Sequence, residues 1–95
     1  MRNSDAMSIT VLTGGDCLSF DGRNAWALRE LINAGVRGCT PIDNPAPRWS
    51  AYVFNLRRAG LAIETVHERH GGVFAGTHAR YVLRSLVSLI DEEAA

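Results

Sequence analysis

The run from Arg48 to Gly60 constrains this chain more than any other stretch. Trp49, Tyr52, Val53, Leu56 and Ala59 recur at three- and four-residue spacing, which at 100° per residue gathers them on one helical stripe facing a core. The opposite side carries Ser50, Ala51, Phe54 and Arg58, with Asn55 and Arg57 on the flanks. An outer face of arginine and amide groups suits phosphates or base edges, while its lone aromatic, Phe54, suits a protein contact. Pro47 fits a helix start and Gly60 a left-handed stop, so the helix is expected over 48–59.

Ahead of it, Pro41, Pro45 and Pro47 fall within seven residues. Each lacks a backbone donor and biases its predecessor away from helical angles, so at most one helical turn fits, near Ile42 to Asn44. Val36 to Thr40 reads as an extended link. Earlier still, Ala25, Leu28, Leu31 and Ile32 mark an amphipathic helix from Arg23 to Ala34, with Asp21 as N-cap and Gly35 as stop. Trp26 lies off that stripe, and the N-terminal hairpin or the C-terminal tail is expected to cover it.

The flanks read as strands. Ser8 to Thr13 alternates, turns at Gly14-Gly15-Asp16 and returns through Cys17 to Phe20. After Gly60, residues 61–66 and 79–84 form a second hairpin around a glycine-rich loop at 67–78. Leu86, Val87, Leu89 and Ile90 fit a strand or a short helix equally well. One domain is expected over 8–90, with 1–7 a disordered start or expression remnant and 91–95 an acidic, frayed tail.

Composition limits the partners. A chain of 95 residues, 46% hydrophobic, buries one modest core. Ten arginines balance ten carboxylates and lysine is absent, so no global basic field exists. The distribution is uneven: from Arg48 to Arg84 six arginines face Glu64 and Glu68, a balance of +4, and Asp91-Glu92-Glu93 carries −3. Two unpatterned thiols, no export segment and no ~20-residue apolar span point to a cytoplasmic protein with reduced cysteines. Cys17 and Cys39 are expected to be small core fillers.

A helix, a tight connection, a second helix with arginines outside and then a two-stranded hairpin resemble the winged-helix variant of the helix-turn-helix. Asp21-Gly22-Arg23-Asn24-Ala25-Trp26-Ala27-Leu28, with Gly35, Gly38 and Thr40, resembles the first helix of small uncharacterised winged-helix domain proteins of bacteria and phages. Leu56-Arg57-Arg58-Ala59-Gly60-Leu61-Ala62-Ile63-Glu64-Thr65, followed by Ala79-Arg80-Tyr81-Val82-Leu83, resembles their recognition-helix end and wing. The resemblance implies an α+β winged helix with a shortened second helix, a C-terminal β-hairpin wing and a short N-terminal β-hairpin. The proline link stands where the usual bracing helix would be.

This resemblance makes a non-catalytic DNA-binding protein the first expectation, a transcriptional regulator or phage-related factor working on duplex DNA. Its nucleic-acid residues are Arg48, Ser50, Asn55, Arg57, Arg58, Arg69 and His70. Guanidinium forks suit phosphates and guanine edges; a solvated helix face, or ion pairs to Glu64 or Glu30, is the competing reading. The alternative is a protein-interaction module or homodimer using Trp26, Phe54, Leu86 and Ile90. His67, His70 and His78 are not expected to share a face, so no metal site is assigned. No nucleophile and base are spaced for catalysis, no cofactor motif is present, and neither a membrane nor a small-molecule substrate is indicated.

Overall fold

The alternating N-terminal run and its Gly14-Gly15 turn form a hairpin of β1 (Ser8–Thr13) and β2 (Asp16–Asp21) in the computed structural model, which describes residues 7–72 and 76–93. Both turn glycines have positive φ, 56° and 86°, as a two-residue hairpin turn requires. Ile9 and Val11 project from β1 into the core, 1% and 0% exposed, while Thr10 on the opposite face bonds Ser19. Residues 1–6, the bulk of the expected disordered start, lie outside the described residues. Met7 is anchored: it is buried, and its carbonyl accepts from the Gly22 amide at 2.7 Å.

Helix α1 (Gly22–Ala34) follows, with Asp21 as N-cap residue but with no capping bond from its side chain. Ala25, Ala27, Leu28 and Leu31 are buried, and the helix packs on β1, β2 and the second helix at once. Each fully buried leucine contributes about 1.5–3 kcal/mol. Gly35 ends the helix, and a 3-10 turn (Gly35–Arg37) replaces the first part of the extended link expected at 36–40. Cys39 alone behaves as strand there. Its N–H and carbonyl bond Tyr81 at 2.9 and 2.8 Å.

The proline link makes one turn. Thr40 Oγ1 accepts from the amides of Ile42 (3.2 Å) and Asp43 (2.9 Å), and its carbonyl accepts from Asn44 at 2.8 Å. Helix α2 (Trp49–Arg58) then buries Trp49, Tyr52, Val53 and Leu56 as its spacing predicts. Ala59, the last member of the expected stripe, is exposed because the helix stops at Arg58. Leu61 N–H reaches back to Leu56 O and Gly60 N–H to Arg57 O, a Schellman closure in which buried Leu61 packs beneath the last turn. Trp49 joins three elements: its ring lies 5.4 Å from Trp26 of α1 and 6.0 Å from Tyr81, stacked at 23°. Trp26 therefore meets α2, rather than the hairpin or tail expected to cover it.

The second hairpin is longer than its apolar pattern. Strand β3 (Ile63–His70) pairs with β4 (Gly76–Leu83) in unbroken register from Ile63↔Leu83 to His70↔Gly76. Most of the expected 67–78 loop is thus ladder, and its middle, residues 73–75, lies outside the described residues. Polar residues extend the hairpin because cross-strand bonds and side-chain pairs, not burial, hold that end. The ambiguous C-terminal segment is strand β5 (Ser88–Glu93), antiparallel to β1, giving a sheet of order β2-β1-β5. Asp91–Glu93, expected to fray, are paired, and Glu92 bonds Arg29 of α1 at 2.7 Å. The last two residues lie outside the described part.

Candidate nucleic-acid interface

Helix α2 holds its outer face rigidly, because four buried side chains pin the opposite one. Ser50, Phe54, Asn55, Arg57 and Arg58 are all exposed. The guanidinium of Arg58 lies 5.7 Å from the centroid of the Phe54 ring. An arginine four residues beyond an aromatic sits on its face, so the two form one cation–π unit instead of competing for different partners. Asn55 turns toward α1 and donates to Asn24 Oδ1 at 3.2 Å.

Arg57, expected to contact nucleic acid, is hydrogen-bonded within the fold. Its guanidinium donates to the Ile63 carbonyl at 2.6 Å and to Thr65 Oγ1 at 2.8 Å, tying the end of α2 to the start of β3. Arg80 and Arg84 are also engaged, by Glu68 at 2.7 Å and Glu64 at 2.6 Å. Glu64 and Glu30, named as acidic partners for the α2 arginines, bond Arg84 and Asn44 instead. Arg48, Arg58 and Arg69 remain exposed, and no salt bridge joins them to another described residue.

Register sorts the wing residues. Alternation places Thr65, His67 and Arg69 on one face and Val66, Glu68 and His70 on the other. Arg57 of α2 reaches Thr65, so the Arg69 face is the one beside the helix. Arg69 and His70, expected to act together, are therefore split between faces. His67 shares the Arg69 face and is exposed, a candidate that sequence reading passed over; period-two counting from Thr65 would have found it.

On the far face runs a hydrogen-bonded chain. His70 Nδ1 lies 2.9 Å from His78 Nδ1, His78 Nε2 lies 3.1 Å from Glu68 Oε1, and Arg80 Nε donates to Glu68 Oε2 at 2.7 Å. Arg80 Nη1 continues it to the Arg37 carbonyl at 2.8 Å. The Arg80 guanidinium, joined by the His78 imidazole, holds the Glu68 carboxyl below its ordinary value. Two histidines thus meet where the sequence kept all three apart, because diagonal neighbours across an antiparallel ladder share a face. Among the described residues, no group of three or more histidine, cysteine or acidic side chains is placed to hold a metal ion.

Both thiols are free. Cys39 is a core filler, fully buried, and burial pushes its thiol up to about 11. Cys17 is exposed on β2, against expectation, since it faces outward opposite Leu12. The partner-surface residues stand on separate elements. Trp26 is half-buried with Arg23 over its ring at 4.6 Å, Leu86 is 92% exposed between β4 and β5, and Ile90 is 55% exposed at the β1–β5 irregularity.

A family model described as a winged helix domain matches residues 17–93, from the second strand through β5. The chain belongs to the winged helix domain family. In this winged helix, β3–β4 form the wing that follows α2, while the second helix is shortened to the single turn after Thr40. Comparisons with curated proteins and with solved structures gave no significant match. Among the described residues, no helix is long and apolar enough to cross a membrane.

Proposed function

We propose that this winged helix is a non-catalytic DNA-binding domain, a transcriptional regulator or phage-related factor, that approaches duplex DNA with the outer face of α2 and the α2-side face of the wing. The observation that carries the proposal is the division of labour among the arginines. Those in the second half that meet acidic or carbonyl partners, Arg57, Arg80 and Arg84, brace the fold, whereas Arg48, Arg58 and Arg69 stay exposed with no salt bridge to another described residue. Exposed guanidinium groups on a rigid helix and an adjacent strand are what phosphate contacts need. Ser50 adds a hydroxyl at the first turn of α2, and the Phe54 ring supports Arg58 from beneath.

Fluorescence anisotropy with a random-sequence duplex pool at low salt tests this. Arg58→Ala together with Arg69→Ala should weaken binding by about ten- to a hundredfold and flatten the salt dependence by roughly one unit per lost phosphate contact. Absence of binding, or binding indifferent to the double substitution, refutes the proposal.

One observation favours a protein partner as second reading: β5 is an edge strand exposed along its whole length, carrying Leu89 and Ile90, with exposed Leu86 just before it. Light scattering at high concentration tests its homodimer form, and a strict monomer would exclude that form.

A further inference from the structure

A cleft of about 480 Å³ lies between the proline link, the first turn of α2 and β4. Thr77, His78 and Ala79 line it consecutively. Successive strand residues point to opposite faces, so what the cleft exposes there is the lateral edge of β4.

Beyond the Cys39 bridge, the outward backbone groups of that edge meet no backbone partner among the described residues. Tyr81 spends its N–H and carbonyl on Cys39, so its pairing with Thr65 is the non-hydrogen-bonded kind. By alternation, the N–H and carbonyl groups of Ala79 and Thr77 also point away from β3. Cys39 forms the isolated bridge on that side, and no backbone bond beyond β3 meets Ala79 or Thr77 among the described residues.

The chain's own strand stops there for a chemical reason. Continued antiparallel beyond the Cys39↔Tyr81 bridge, it would set residue 41 opposite Ala79 and residue 43 opposite Thr77. Residue 41 is proline, which has no N–H to give, and the Thr40 hydroxyl turns the chain away through the amides of Ile42 and Asp43. The link then returns as the far wall, presenting Pro41, Ile42, Ala46 and Pro47. The cleft lies between that wall and the edge.

We propose that this edge docks an extended acidic peptide from a partner protein, which adds a short strand to β4 beside Cys39. Main-chain bonds to Ala79 and Thr77 supply the pairing, and one alternate side chain rests on the apolar wall. Charge selects the sequence: Arg48 lines the cleft, and no acidic residue does among the described ones. A second folded copy pairing through the same edge would have to bring its own proline link to the cleft. The proposal does not rest on DNA binding.

Amide hydrogen exchange measured by NMR on the whole chain provides the test. The probe is an acetylated, amidated pentapeptide alternating aspartate and valine. At millimolar peptide, exchange at Thr77 and Ala79 should slow by about tenfold or more, while His78 and Arg80, already bonded to β3, stay unchanged. Methylating the peptide nitrogens that face β4 should abolish the effect, and Arg48→Glu should weaken binding about tenfold and favour the lysine–valine counterpart. Unchanged exchange at Thr77 and Ala79 overturns the proposal. Equal protection by the methylated peptide overturns the strand pairing, and equal protection by the lysine peptide on the unaltered chain overturns the acidic selection. Protection that grows with protein concentration in the absence of peptide would assign the edge to a second copy instead.

Discussion

Replacing Gly38 by alanine probes the joint on which the wing depends. Gly38 has φ 70° and ψ −177°, a region that residues with a Cβ seldom occupy. An added Cβ would lie 2.6 Å from the Tyr81 carbonyl oxygen, 2.8 Å from Val82 Cγ2 and 3.2 Å from Arg80 Cγ. The first of these atoms is backbone, and it is the oxygen that accepts the Cys39 amide. Relief requires parting β4 from Cys39. The backbone conformation costs about 1–3 kcal/mol, and the crowding roughly another 1–3 kcal/mol. A domain of this size is stabilised by only about 5–14 kcal/mol in total. Gly35 serves as control: its φ is also positive, 58°, but nothing lies within 4 Å of an added Cβ. Gly35→Ala should therefore carry the backbone cost alone. With about 4–8 °C of Tm per kcal/mol, Gly38→Ala should melt at least about 5 °C below Gly35→Ala by circular dichroism. Equal melting temperatures would refute the claim that close approach of β4 to residue 38 fixes the wing.

Arg57→Ala, which removes the bonds to Ile63 and Thr65, should cost about 1–2 kcal/mol in thermal melts, while Arg58→Ala should shift Tm by less than about 3 °C and act on DNA affinity; the reverse pattern would exchange their roles. One thiol equivalent, Cys17, should react with an aromatic disulfide reagent in the native protein and two in denaturant, because burial holds the Cys39 thiol at about 11; two native equivalents would contradict the burial of Cys39. Glu68 has a lowered carboxyl value, so its contribution is present above the ordinary 4.5 and is lost as pH falls through the lower folded value. Wild-type protein should accordingly lose more of its Tm than Glu68→Gln between pH 6 and pH 3, and identical acid losses would remove Glu68 from the account.

What the chain encodes locally was legible without coordinates. The 3.6-residue spacing of Leu28 and Leu31, and of Trp49, Tyr52, Val53 and Leu56, dictated two helices and their buried sides. Gly14-Gly15, Gly35 and Gly60 marked the turns, and three prolines ruled out a full second helix. Period and punctuation act over a few residues, so they survive in one dimension. Tertiary structure decided the rest. Ser88–Glu93 has no pattern that separates strand from helix, and it became a strand because β1 offered an open edge. The ladder reached His70 and Gly76 because Glu68, His78 and Arg80 satisfy one another across it. Which arginines remain available was undecidable from composition, since Arg29 meets Glu92 sixty-three positions away, and Arg57 spends its charge on a carbonyl. Hydrogen-bond edges and ion pairs are completed by whatever the fold brings alongside, and that neighbour is a property of the assembled chain.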